Sequence, residues 1–157
     1  WRIGNENATD IKAVAMFMKN KFNIPVWIVG TSRGTFSTVN AAIKLGQDIY
    51  GIVLTSSITT RPKAESLKRG ILDMHLDQIT IPALIVAHKE DKCFFSPPDS
   101  VNLIKAELVN STNVAVQFLA GGKSPKTKAS MPLSAHGFYG VEKETVSHIS
   151  DFVKSNQ

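Results

Sequence analysis

Four short apolar runs constrain this chain more than any other feature. Ile24 to Val29 reads Ile-Pro-Val-Trp-Ile-Val, and the runs Gly51 to Thr55, Pro82 to His88 and Val114 to Leu119 follow it. A strand with one wet face alternates apolar and polar residues, whereas a nearly continuous apolar run marks a strand covered on both faces. The proline near the start of the first run is compatible with a strand, because a missing N–H is tolerated there.

The sequence between the runs has helical character. From Thr9 to Lys21 the residues Ile11, Val14, Ala15, Phe17 and Met18 recur at spacings of three and four, and Thr9 and Asp10 suit a helix start. The residues before them, through Asn7, read as a loop. A second helix is expected from about Arg33 to Leu45, ended by Gly46. A third is expected from Pro97 to Val109, with proline in its first turn. A closing helix from Val141 to Val153 carries Val141, Thr145, His148, Ile149 and Phe152 along one side. Buried strands separated by helices predict an α/β fold, a mostly parallel sheet with helices on both faces. With 157 residues, 43% of them hydrophobic, the chain has material for one such domain and not for two.

Between the first apolar run and the second helix stand Gly30, Thr31, Ser32, Arg33 and Gly34. A bare Gly-x-Ser-x-Gly arises by chance in roughly one chain in twenty of this length, so the letters alone say little. Their position says more, because the end of a buried strand and the start of a helix is where a nucleophile elbow lies. Flanking glycines let so tight a turn avoid side-chain clashes while the serine hydroxyl is lifted above the sheet. The helix start favours negative charge, and the N–H of Arg33 is placed to meet an oxyanion.

A serine hydroxyl is a weak nucleophile at neutral pH and needs a base, which in turn needs a group to orient it. The expected order is serine, then an acid after a late strand, then a histidine after the last strand. Lys89-Glu90-Asp91-Lys92-Cys93 and Leu133-Ser134-Ala135-His136-Gly137-Phe138 occupy those places. Glu90 rivals Asp91 as the acid, since neighbouring side chains at a strand end diverge. His75 precedes the acid, His88 belongs to its strand and His148 lies on the closing helix, which leaves His136 as the histidine after the final strand.

These segments resemble the α/β-hydrolase superfamily, in its dienelactone-hydrolase-like or small-esterase members, where His-x-x-Asp-x-Cys carries the acid and Ser-x-His-Gly-Phe the base. His88 to Cys93 and Ser134 to Phe138 match those patterns, and the resemblance runs from the helix before Ser32 to the closing helix. It implies Asp91 as acid and His136 as base, to serve Ser32 as nucleophile and the Arg33 N–H as oxyanion donor at the turn described above. Relatives often carry a second cysteine shortly before the base histidine; here Met131, Pro132 and Leu133 stand in that region and Cys93 has no partner. A full member also has strands before the elbow, and a loop after an early one donates the second oxyanion N–H. The chain opens at Trp1 and shows no such strands, so a truncated or processed product lacking an upstream segment of roughly a hundred residues is expected. The run Ile24 to Val29 would then be an uncovered apolar edge, to be hidden by the missing segment or by self-association.

The formal charge of +5 invites a polyanionic partner, yet the lysines are scattered. The densest group, Lys123, Lys126 and Lys128, has no aromatic residue among it for base stacking. A solvated loop is the plainer reading, and no nucleic acid is expected. Arg61, Lys63 and Lys92 would suit an anionic substrate, although surface lysines are the plainer reading there too. The single cysteine excludes an internal disulfide and a cysteine-based metal cluster, and no metal or organic cofactor is expected. No run approaches the roughly 18 apolar residues of a membrane helix, and no signal-peptide pattern opens the chain, which leaves the compartment open. The stretch from Ser56 to Ile81 is too short for a large helical lid, which points to an open site for small or hydrophilic acyl substrates. The expected function is hydrolysis of a carboxylic ester or thioester. The alternative is a non-catalytic binding module of the same fold, or a fragment inert by itself.

Overall fold

The computed structural model describes residues 1–61 and 67–157. Strands β1 (Trp27–Thr31), β2 (Gly51–Thr55), β3 (Ala83–His88) and β4 (Val114–Leu119) form one parallel sheet in the order β1-β2-β3-β4. Helices α1 (Asn5–Phe22) and α2 (Gly34–Leu45) flank β1 in sequence, α3 (Val101–Glu107) precedes β4, and α4 (Glu142–Ser155) closes the chain.

Every residue of β2 and β3 is buried, which is why those segments are apolar throughout. The two-residue period of the strands divides them between two cores. Ile52 and Leu54 of β2 and Ala83, Ile85 and Ala87 of β3 pack with Ala15 of α1, Val39 and Ala42 of α2 and Ile104 of α3. On the other face Val53, Leu84, Val86 and Leu119 meet Phe138 and the Ile149 and Phe152 side chains of α4. Both faces are therefore covered by helices. Each fully buried aliphatic side chain contributes about 1.5–3 kcal/mol to this arrangement.

The sheet ends as expected at most boundaries and departs at a few. β1 begins at Trp27, three residues later than the apolar run, with Ile24 half exposed at 50% and Val29 at 52%. The reason is topological: β1 pairs with β2 alone, so among the described residues its outer edge has no strand beside it. A groove of about 590 Å³ runs along that side, lined by Val14, Met18, Ile24, Trp27 and Val29. α1 starts at Asn5, inside the segment read as loop. Tertiary hydrogen bonds fix that start, as Asn40 Nδ2 donates to the Gly4 carbonyl at 2.9 Å and Lys44 Nζ to Asn5 Oδ1. The third helix is shorter than expected: Pro97 stays extended, a 3₁₀ turn covers Pro98–Ser100, and α3 ends at Glu107.

The connection from β2 to β3 holds, among its described residues, only 3₁₀ turns at Gly70–Asp73 and Leu76–Gln78. Lys63 lies outside the described residues. The lysines of the loop after β4 are exposed, as expected, and Lys123 and Lys126 place their ammonium groups 5.5 and 5.8 Å from the Tyr139 ring. No helix among the described residues is long and apolar enough to cross a membrane.

Candidate active site

The C-terminal ends of β1, β2 and β3 all carry loops to one rim of the sheet. At the end of β1 the chain turns so sharply into α2 that Ser32 takes φ 53, a left-handed conformation that a side chain normally disfavours. The turn is fastened by Ser32 N–H donating to the Thr55 carbonyl at 3.0 Å, and by Thr35 N–H and Thr35 Oγ1 donating to the Ser32 carbonyl at 3.0 and 2.6 Å. Among the described residues these bonds leave the Arg33 N–H unused at the helix start.

The two flanking glycines are not equivalent. A Cβ on Gly30 would strike Thr38 Oγ1 and come within 2.7 Å of the Gly34 carbonyl, whereas a Cβ on Gly34 would meet nothing within 4 Å. The expectation that both glycines relieve crowding therefore holds for Gly30 and is corrected for Gly34, whose Cβ direction is open space.

At the end of β3, Asp91 opens an Asx turn: Cys93 N–H donates to its Oδ1 at 2.8 Å. Its other oxygen, Oδ2, lies 2.9 Å from His136 Nδ1. Both side chains are buried, Asp91 at 8% exposure and His136 at 4%. An ionised carboxylate only accepts, so the His136 nitrogen facing it carries the proton and Nε2 holds the lone pair. Nε2 is buried and has no hydrogen-bond partner among the described residues. Glu90, the rival acid, turns away. Its Oε2 sits 3.0 Å from His88 Nδ1 and accepts from the Gly121 N–H at 3.1 Å.

His136 is held by more than its acid. Ser134 caps a 3₁₀ turn over Ala135–Gly137 by accepting from the His136 N–H, and its hydroxyl is anchored on the Ala129 and Met131 carbonyls. Gly137 packs so tightly that any Cβ there would collide with the Pro132 carbonyl. Ser56, just past β2, donates its hydroxyl to the His136 carbonyl at 2.7 Å. Ser32 and His136 thus hang on adjacent residues, Thr55 and Ser56, at the end of one buried strand. The structure brings Asp91 and His136 into contact; Ser32 makes no hydrogen bond to His136 among the described residues.

Sequence reasoning missed two residues of this cluster. Ser56 is one and Ser96 the other: Ser96 Oγ lies 3.0 Å from Asp91 Oδ2 and 2.9 Å from His136 Nδ1. A hydroxyl within a few residues of a strand end was the available signal, too common to be singled out. His75 and His148 stand apart, His75 at the start of a 3₁₀ turn and His148 beside Glu144 on α4. Among the described residues, Asp91, Cys93 and His136 are the set able to offer a metal ion three ligand atoms within 4.8 Å of one another. Both Asp91 oxygens and His136 Nδ1 are already engaged in the hydrogen bonds above, and Cys93 is a free, buried thiol. Beside this cluster a cavity of about 550 Å³ is lined by His88, Glu90, Lys92, Lys123 and Ser134; neither Ser32 nor His136 lines it.

No protein-family model matches the chain, and no curated protein sequence matches it closely. Solved structures do. A lipase-esterase related protein from Clostridium acetobutylicum superposes with a TM-score of 0.60 at 16% identity, over 88% of this chain and 72% of that one. A thermostable carboxyl esterase from Bacillus coagulans gives 0.66 at 10% identity, over 95% and 71%. Dipeptidyl peptidase 4 from Porphyromonas gingivalis gives 0.65 at 15% identity, over 96% of this chain and 23% of its own. These matches do not single out the dienelactone-hydrolase-like members. Parallel sheet, sharp strand-to-helix turn, and likeness to esterase, lipase and peptidase structures alike give one answer: the fold of this chain is that of the α/β-hydrolases.

Proposed function

We propose that the protein is a serine hydrolase acting on a carboxylic ester or thioester, with Ser32 as nucleophile, His136 as base and Asp91 as the acid that orients it. The observation that carries this reading is the buried Asp91–His136 pair, whose Nε2 is left without a partner at the same strand end that anchors Ser32. An imidazole protonated at Nδ1 and bare at Nε2 is a base with one free position. Substrate entry brings the Ser32 hydroxyl to that nitrogen, since such hydrogen bonds often tighten only in the complex.

In the first half-reaction Ser32 Oγ attacks the acyl carbon while its proton passes to His136 Nε2. The oxyanion that forms is met by the Arg33 N–H, and the imidazolium is stabilised by the Asp91 carboxylate. His136 then gives the proton to the leaving alcohol or thiol. In the second half-reaction it takes a proton from water, which attacks the acyl-serine, and returns that proton to the departing Ser32 Oγ as the acid is freed. The esterase and lipase neighbours, whose fold this chain shares, support the reaction class.

Turnover of short-chain activated esters tests the reading. Ser32→Ala is expected to lower kcat by several orders of magnitude with the fold intact, and Asp91→Asn by about 10⁴-fold, the figure known for the corresponding change in a serine protease triad. Near-parental activity in Ser32→Ala rules out Ser32 as nucleophile.

A further inference from the structure

Ser96 occupies an unusual place beside the acid and the base. It is 3% exposed, its N–H closes a turn on the Cys93 carbonyl at 3.1 Å, and its Oγ reaches both Asp91 Oδ2 and His136 Nδ1. A hydroxyl has one proton to give. Because Nδ1 already carries a proton toward the carboxylate, Ser96 cannot donate to it without two hydrogens facing each other. The consistent arrangement has one polarity: Ser96 O–H donates to Asp91 Oδ2, and Ser96 Oγ shares the Nδ1 proton with that same oxygen.

We propose that Ser96 is a positioning residue of the site, fixing the plane of the Asp91 carboxylate so that its Oδ2 stays in line with the His136 Nδ1–H. The inference rests on the hydrolase reading for its effect on rate, and on geometry alone for its effect on the Asp91–His136 hydrogen bond. Three donors, Cys93 N–H, Ser96 O–H and His136 Nδ1–H, then surround a carboxylate removed from water, which is what keeps such a charge tolerable. When His136 takes the proton of the nucleophile at Nε2, Nδ1–H becomes a stronger donor, and both of its acceptors are already in place.

The same geometry excludes Ser96 as the nucleophile, although it is a serine in contact with the histidine. Its oxygen lies at Nδ1, where the proton already sits, while the lone pair able to receive a proton is at Nε2 on the opposite side of the ring. Its own proton belongs to Asp91.

The complete protein and its Ser96→Ala and Ser96→Thr variants provide the test, through ester kinetics, thermal melts and ¹H and ¹⁵N NMR of the His136 ring. Ser96→Ala is expected to lower kcat about ten- to a hundredfold, in the range seen when an orienting partner is lost. KM stays within about twofold, so that kcat and kcat/KM fall together. The melting temperature hardly moves, Ser96→Thr recovers most of the rate, and the hydrogen-bonded Nδ1–H signal of His136 shifts upfield and exchanges faster with solvent. Parental kcat in Ser96→Ala, a raised KM with kcat unchanged, or an unchanged Nδ1–H signal in that variant overturns the proposal. So does a loss of rate that follows a loss of melting temperature without recovery in Ser96→Thr, or a serine-reactive phosphonate found bonded to Ser96. A parental protein that hydrolyses nothing and resists the phosphonate, yet whose His136 Nδ1–H signal moves in this way in Ser96→Ala, rejects the hydrolase reading and leaves the positioning role standing.

Discussion

Gly30 and Gly34 bracket Ser32 symmetrically in the sequence and quite differently in space. Only Gly30 faces atoms, Thr38 Oγ1 and the Gly34 carbonyl, so Gly30→Ala must displace the start of α2 and is expected to cost about 1–3 kcal/mol in urea unfolding. Gly34→Ala enters open space and is expected to stay within about 0.5 kcal/mol of the parent. The reverse order would show that the turn is held otherwise than described. At this scale the sequence revealed the residue types and hid their partnerships. Asp91 and His136 were legible because strand ends of this order leave few other places for an acid and a base. Ser56 and Ser96 were not, because their roles arise only when chain segments 80 and 40 residues from His136 are brought against it.

The strands were the most legible elements. β2 begins and ends where its apolar run does, since a strand buried on both faces changes composition abruptly at its ends; β4 matches its run too, although it is an edge strand fully buried only at Leu119. β1 was less so: an edge strand is covered on one side only, and the apolar residues before it, Ile24 to Val26, continue outside the ladder. The start of α1 was hidden because Asn5 and Asn7 are poor helix formers locally, while α2 holds the chain at Gly4 and Asn5. A surface pair also ties α1 to the turn after α2. Lys12 Nζ lies 2.8 Å from Asp48 Oδ2, and that hydrogen bond, followed by the lysine's charge, holds the Asp48 carboxyl below its ordinary range. The folded form therefore binds a proton at Asp48 less readily than the unfolded chain. The stability this confers is present above the unfolded pKa and is lost as pH falls through the folded one. Lys12→Ala is expected to return the Asp48 titration, followed by NMR, upward to the ordinary carboxylate range. An unchanged titration would show that the pair does not persist in solution.

Across the whole molecule, the parallel order β1-β2-β3-β4 brings the loops after β1, β2 and β3 to one rim. Segments that are far apart in the chain, around Ser32, Ser56, Asp91 and His136, meet there because the strands before them lie side by side. That architecture was readable from four apolar runs and the helices between them. The apolar edge expected at Ile24 to Val29 matches β1, which pairs with β2 alone, is bordered by an apolar groove and leaves Val29 half exposed. The central claim concerns the rim: one serine, Ser32, is the group activated by the Asp91–His136 pair. Mass-spectrometric mapping of the protein after reaction with a fluorophosphonate tests it most directly. The account predicts a single adduct, on Ser32, absent from Ser32→Ala and formed far more slowly in His136→Ala. An adduct on any other serine, or an unreactive Ser32 in the folded protein, would contradict it.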